Sequence, residues 1–292
     1  MDVSVIIVNY NTINLLCNTI DSVIQKTNKL LYEIIVVDNN SNDNSKQIIN
    51  DKYSDKVKYI SLSENIGFGR ANNEGIKIAK GRNVFLLNPD TILENNGIKI
   101  LADYLDDNLK VGVVGGNLLN EDGSPQPSYS HFYPSINLEI VKLFYLVFLF
   151  RNDSYNNTTT PKLVKSVYGA AMMIRKNIIN EVGGFDSRFF MYAEENEWCY
   201  RIKKAGYKIV NIPQCVITHL DGSSFEFSEE RNKRQLEGLR TLYRITYSPT
   251  YCRILRVIEY LVILNRLILY KLLGNKDKLN RYVFLYNNRK WK

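Results

Sequence analysis

At 292 residues and 45% hydrophobic composition, the chain is long enough to bury a full core without disulfides or a structural metal. Its four cysteines, Cys17, Cys199, Cys215 and Cys252, lie far apart and never in C-x-x-C spacing, which excludes a zinc ribbon and a disulfide framework. A formal net charge of +8 admits nucleic acid, anionic lipid or a phosphorylated ligand, but no nucleic-acid recognition motif accompanies it. No nucleic-acid partner is therefore expected.

The first half alternates buried-strand runs with helical periodicity, the pattern of a parallel sheet covered by helices. Val3–Val8, Tyr32–Val37, Lys56–Leu62 and Asn83–Leu87 read as strands. Ile13–Thr27, Ser45–Lys52 and Gly69–Ala79 read as the helices between them. Val3–Val8 is a short β-branched run with no basic flank, so no signal peptide is expected and the chain is placed in the cytoplasm. Gly97–Asp107 predicts a helix and Val111–Gly115 a short strand, followed by a polar segment holding Pro125, Pro127 and Pro134. Asn152–Thr160 reads as a polar insertion, and Val167–Ile174 as a returning strand. Glu194–Ala205 reads as a helix closed by Gly206, and Ile209–Thr218 as a strand interrupted at Pro213. From Glu229 the chain reads as helical and basic, so residues 1–228 are expected as one α/β domain and 229–292 as an amphipathic helical extension.

Polar loops follow several strands at their carboxyl ends, where open α/β sheets bind ligands. Asp38, Asn39, Asn40 and Ser41 close the second strand; an Asp there can accept from the imide N–H of uracil or thymine, although alone it is more simply an Asx turn. Asn65–Gly75 sets glycines, Arg70 and amides at a loop-to-helix junction, which offers free N–H groups to an anion but matches neither the Rossmann fingerprint nor the P-loop. Leu87-Asn88-Pro89-Asp90-Thr91 ends an apolar strand with a lone carboxylate suited to Mg²⁺ beside a diphosphate. Glu194 and Glu195 follow an aromatic cluster at a helix start; acids favour the dipole there, and burial would equally tune one as a general base. His219, one of two histidines, stands at a strand end, where a structural role and a metal role are both open.

Taken in this order, the segments from Val3 to about Ser224 resemble the family-two inverting glycosyltransferases of the GT-A fold, in their rhamnosyltransferase-like branch. The pieces are Val5–Asn11, Val37–Ser41, Asn65–Gly75, Leu87–Thr91, Tyr168–Met172 and Gly183–Arg201. The resemblance implies a Rossmann-like, mostly parallel sheet flanked by helices, and a nucleotide-sugar donor. It implies Tyr10 on the base, Asp38 on its imide, and Arg70 with Gly67–Asn72 near ribose or phosphate; Asn9, Asn40, Asn65 and Asn88 complete the donor-binding set. Asp90 would be the last acid of a D-x-D-like motif carrying Mg²⁺ or Mn²⁺, and His219 an added metal ligand. Glu195 matches the second acid of a Glu-Asp pair, the general base, and the choice between it and Glu194 stays open. Asn88 departs from the first acid of that metal motif, as in the rhamnosyltransferase-like branch. The sugar expected is rhamnose or another hexose from a dTDP- or UDP-donor, passed to a glycan or lipid-linked glycan acceptor. Galactosyl-, glucosyl- and N-acetylhexosaminyltransferases remain alternatives, as does a catalytically silent subunit. A homodimer stands among the expected assemblies.

Tyr251–Leu273 is apolar but carries Arg253, Arg256, Glu259, Arg266 and Lys271, too many charges for a bilayer span and suited to an interfacial helix. Ile136–Phe150 is a second apolar run, read equally as a core helix or a membrane-surface element. With the basic end Arg289–Lys292, these features place the chain as peripheral at the inner face of the cell membrane.

Overall fold

A computed structural model describes residues 1–146, 159–220 and 228–288. Most of the Asn152–Thr160 stretch, Asp221–Ser224, the end of the Leu143–Phe150 run and Arg289–Lys292 lie outside the described residues.

Strands β1 (Val3–Asn9), β2 (Tyr32–Asp38), β3 (Val57–Ser61) and β4 (Asn83–Leu87) pair in parallel in the order β3-β2-β1-β4. β1 is buried at every position, because its near-continuous Val/Ile run is covered on both sheet faces. On one face lie α1 (Ile13–Lys26), α2 (Ser45–Tyr53) and α4 (Gly97–Asp107). Leu16, Ile20 and Val23 of α1 recur at helical spacing and are fully buried there. On the other face lie α3 (Phe68–Ile78), α6 (Lys176–Val182) and α7 (Glu194–Lys204), packed through Ala71, Ile178, Ile179, Trp198 and Ile202.

The remaining strands extend the sheet as β4-β10-β6-β11-β5, where β5 is Thr91–Leu93, β6 Val111–Leu119, β10 Ala171–Arg175 and β11 Lys208–His219. β10 runs antiparallel to both neighbours, and β6 and β11 are parallel, so the sheet is mixed but mostly parallel. β6 runs four residues beyond the expected Gly115, because Gly116–Leu119 find partners on β11. The single strand expected over Val167–Ile174 is two: β9 (Ser166–Val167) pairs with β7 (Tyr129–Ser130), and the chain turns at Tyr168–Ala170 before β10. In β11, Ile212 pairs with Gly116 and Val216 with Asn117, so Pro213–Cys215 bulge out, as a residue without an N–H requires. The bulge delivers Ile217–His219 to β5, with His219 opposite Thr91. A two-residue strand, β8 (Lys162–Leu163), adds to β11.

Helices α5 (Ile136–Leu143), α8 (Glu229–Thr246), α9 (Pro249–Leu272) and α10 (Lys276–Asn287) form a separate layer with its own small cluster of Tyr243, Cys252 and Leu255. The core-helix reading of the Ile136 run does not hold over its described part. Ile140, Phe144 and Leu146 are exposed, and α5 packs on α9. Among the described residues no helix is long and apolar enough to cross a membrane, and all four cysteines are free.

Candidate active site

The carboxyl ends of β1 and β2 are joined by side chains. Asn9 is fully buried, and its Nδ2 lies within hydrogen-bond distance of Asp38 Oδ1 at 2.9 Å, Ser41 Oγ at 3.0 Å and Ser45 Oγ at 2.8 Å, with two hydrogens to share among them. Ser41 N donates to Asp38 Oδ2 at 3.1 Å, so both carboxylate oxygens are held. Tyr10, 46% exposed, stands on the rim beside them. Asn40 is exposed and left-handed at φ 65°, whereas Asn39, which sequence reasoning passed over, points inward. Asn39 Nδ2 donates to Asn65 Oδ1 at 2.9 Å, and Ile66 N donates to Asn39 Oδ1 at 2.9 Å. Asn65 Oδ1 also accepts from Gly67 N at 3.0 Å.

Gly67 opens α3 at φ 87°, and a Cβ there would overlap the carbonyl oxygen of Phe190, which accepts from Phe68 N at 2.9 Å. Only glycine meets both demands. In the first turns of α3, Arg70 has a buried Nε with no hydrogen-bond partner among the described residues, and Asn72 bonds the Phe68 carbonyl at 3.1 Å. Asn73 was not anticipated: it exchanges two hydrogen bonds with the Phe185 backbone, at 2.8 and 2.9 Å, and ties α3 to the Gly183–Asp186 loop. Arg201 braces the same loop, donating to Val182 O at 2.5 Å and Gly184 O at 2.7 Å while paired with Glu197.

The Asn88–Thr91 turn leaves β4 toward β5. Buried Thr19 of α1 pins it, its hydroxyl lying 2.8 Å from Pro89 O and 2.7 Å from Thr91 O. Asp90 is buried; its Oδ1 has no hydrogen-bond partner among the described residues and lies 3.4 Å from His219 Nε2. That separation exceeds the 2.7–2.9 Å of a charge-assisted hydrogen bond. Asn88 Nδ2 stands 3.5 Å from the same ring nitrogen. One oxygen and one nitrogen thus converge without satisfying each other, a donor set that suits Mg²⁺ or Mn²⁺. No group of three His, Cys, Asp or Glu side chains suited to a metal forms among the described residues.

Glu194 and Glu195 start α7 after two successive left-handed residues, Tyr192 at φ 72° and Ala193 at φ 69°. This conformation is costly for non-glycine residues and survives where its surroundings enforce it. α8 supplies part of that enforcement, since a Cβ at Gly238 would overlap the Tyr192 carbonyl oxygen. Glu194 turns inward, 3% exposed, with Oε2 unpartnered among the described residues. Glu195 is half-buried near Phe68 and Gly169, and accepts from Asn196 Nδ2 at 3.1 Å. Burial raises the pKa of both carboxyls, and the charge of Glu195 adds to the rise at Glu194. Ala170, next to Gly169, accepts from Asn88 N at 3.0 Å, so the Tyr168–Ala170 turn stands between the Glu195 and Asp90 sites.

The raised Glu194 pKa has a stability consequence. The folded state holds this proton more tightly than the unfolded chain, so stability is lost as pH rises from about 4.3, the ordinary glutamate value, through the raised folded value. Glu194→Gln removes that loss. Its Tm is expected to exceed that of the parent by about 2–4 °C at pH 8 and to converge on it near pH 4. Thermal unfolding across that range checks the sign.

A family model described as glycosyl transferase family 2 matches residues 4–183. The chain belongs to glycosyl transferase family 2. The family match covers β1 through α6 and ends before α7 and β11, so Glu194, Glu195 and His219 lie beyond it. A low-salt glycan biosynthesis hexosyltransferase of Haloferax volcanii is 28% identical over 74% of this chain and 65% of its own. A dTDP-rhamnosyl transferase of Shigella flexneri is 28% identical over 65% of this chain and 60% of its own. An N-acetylglucosaminyl-diphospho-decaprenol L-rhamnosyltransferase of Mycobacterium tuberculosis is 27% identical over 64% and 66%. The chain therefore spans 60–66% of the length of these relatives. The crystal structure of GalNAc-T7 with UDP, GalNAc and Mn²⁺ superposes at a TM-score of 0.61, with 20% identity, covering 83% of this chain and 47% of that one. The shared fold is GT-A.

Proposed function

We propose that the chain is an inverting glycosyltransferase that passes rhamnose or another hexose from a dTDP- or UDP-sugar to a hydroxyl of a growing, lipid-linked surface glycan. The observation that carries this reading is the buried Asp90 carboxylate, its Oδ1 without a hydrogen-bond partner among the described residues and facing His219, at the carboxyl edge of the sheet that also carries Asp38, with the desolvated Glu195 beyond the Tyr168–Ala170 turn. The names of the family 2 relatives support a hexose, and two of them rhamnose.

In this reading Tyr10 packs on the base, Asp38 and the Asn9 network receive its imide, and Asn65, Gly67, Arg70 and Asn72 border ribose and phosphate. Asn40 and Asn88 lie on the same rim. Asp90 and His219 would hold Mg²⁺ or Mn²⁺, which would supply positive charge to a leaving diphosphate. Glu195 accepts the acceptor hydroxyl proton as that oxygen bonds the anomeric carbon and the bond to the diphosphate breaks; one displacement inverts the centre. Glu194, more deeply buried, stays protonated and keeps a second negative charge away from the base. A panel of UDP, dTDP, GDP and CDP with and without Mn²⁺ tests donor class by thermal shift. A pyrimidine diphosphate at a hundred times its Kd is expected to stabilise by about 2.7 kcal/mol. If no diphosphate moves the transition, this function is wrong.

Residues 1–228 form the transferase domain in this reading and 229–292 a membrane-associating extension, peripheral at the inner face. Support comes from α9, where Ile254, Val257, Leu261, Ile268 and Leu272 are exposed along one helical stripe about 27 Å long. Arg253 and Lys271 lie exposed at its edge, where anionic headgroups favour cations. The double substitution Ile268→Glu, Leu272→Glu is expected to cut co-sedimentation with phosphatidylglycerol vesicles at least tenfold. A parent chain that stays in the supernatant overturns the membrane assignment.

A further inference from the structure

We propose that Gln126 is a positioning residue that fixes the proton of neutral His219 on Nδ1, leaving the Nε2 lone pair facing Asp90 as a cation ligand. The inference rests on the reading of Asp90 and His219 as the cation site and adds what prepares it.

The argument is one of donor and acceptor polarity. Gln126 Nε2 lies 2.9 Å from the carbonyl oxygen of His219 and 2.8 Å from Asn120 Oδ1. A backbone carbonyl only accepts, so the amide nitrogen must face it and Oε1 must face the ring. Oε1 lies 3.0 Å from His219 Nδ1. An amide oxygen cannot donate, so Nδ1 carries the hydrogen, and the neutral ring is bare at Nε2.

A second end fixes the same direction. Asp122 Oδ1 accepts from Ser124 Oγ at 2.5 Å and from Ser124 N at 2.9 Å. The Ser124 hydroxyl, its proton committed to that carboxylate, accepts from Asn120 Nδ2 at 2.8 Å. Asn120 Oδ1 is thereby turned toward Gln126 Nε2. Asp122, Ser124, Asn120, Gln126 and His219 form one relay whose acceptor-only ends leave no alternative orientation.

The backbone holds the relay rigid. Asn120–Ser124 is a tight turn with Gly123 left-handed at φ 79°, and Gln126 N donates to Leu118 O at 2.9 Å. Flanking Pro125 and Pro127 restrict the backbone on both sides of Gln126, which is 6% exposed. A metal-binding histidine needs this kind of outer partner, and its loss costs about 10–100-fold in metal affinity in known sites.

The first test needs no variant. Metal-free, ¹⁵N-labelled protein is examined at pH 8.5 by long-range ¹H–¹⁵N correlation of the imidazole rings. The chain has two histidines, so His219→Asn assigns the signals. A proton on Nδ1 of His219 is expected; a proton on Nε2 overturns the proposal. The second test titrates Mn²⁺ alone by electron paramagnetic resonance. Gln126→Leu is expected to weaken binding at least tenfold and move the ring proton toward Nε2, and Gln126→Glu, which keeps an acceptor for Nδ1–H, to restore affinity within about threefold. If Asp90→Asn and His219→Asn weaken Mn²⁺ but Gln126→Leu does not, the positioning role is wrong and the cation site stands. If neither Asp90→Asn nor His219→Asn changes Mn²⁺ binding, the cation site itself is wrong and the proposal falls with it.

Discussion

Glu195→Gln is expected to lower turnover by about 10²–10⁴-fold while leaving nucleotide affinity within about twofold. The amide keeps the shape of the side chain but cannot take a proton. Its neighbours argue for a kinetic effect rather than a structural one, because Glu195 is half-buried and accepts from the adjacent Asn196. The pH dependence follows from the same surroundings. Both carboxyls are raised by desolvation, so the acid limb of the rate profile should lie above the ordinary glutamate range. Activity should rise with pH through that limb, since the ionised form is the base. Glu194→Gln should retain most turnover. Steady-state kinetics of the two variants separate the adjacent acids, and a Glu195→Gln enzyme with more than a tenth of parental turnover would return the choice to Glu194.

Asp90→Ala is the second large effect. Electrostatic stabilisation of a leaving group in a water-poor site is commonly worth about 10²–10³ in rate, and in the proposed reading Asp90 would hold the cation that supplies it. Among the described residues its Oδ1 makes no hydrogen bond and only the 3.4 Å approach to His219, so its removal costs the metal-free fold little. The metal-free Tm is therefore expected to change little, whereas the added stabilisation from Mn²⁺ with UDP or dTDP should vanish. Thermal unfolding in the four conditions distinguishes a site residue from a structural one. A large fall in the metal-free Tm, with ligand stabilisation intact, would falsify the assignment.

The parts of this arrangement that the sequence discloses are those whose cause is local. Val3–Val8 and Tyr32–Val37 announce buried parallel strands because both faces are covered, and Asp38 and Asp90 stand out because each ends such a run. The Asn65–Gly75 loop is visible through its glycines, although the reason for Gly67, the carbonyl of Phe190, is remote. Contacts across long separations are not legible. Gln126 meets His219 across 93 residues, through a turn and a bulge whose combined geometry no spacing encodes. Only its place between two prolines hinted that its backbone was constrained. Adjacent Glu194 and Glu195 could not be ranked from the chain either, because the left-handed Tyr192–Ala193 pair sets which carboxylate turns inward.

The contact between Gly67 and Phe190 joins the loop read as receiving the donor to the segment that leads into α7. A donor that tightens the Asn65–Gly67 loop then tightens the approach to Glu195 as well. Thermodynamic reciprocity makes the effect mutual: an acceptor seated near Glu195 must strengthen donor binding by the factor with which the donor strengthens its own. Within the proposed reading the seam thus predicts synergy, each substrate binding more tightly when the other is already in place.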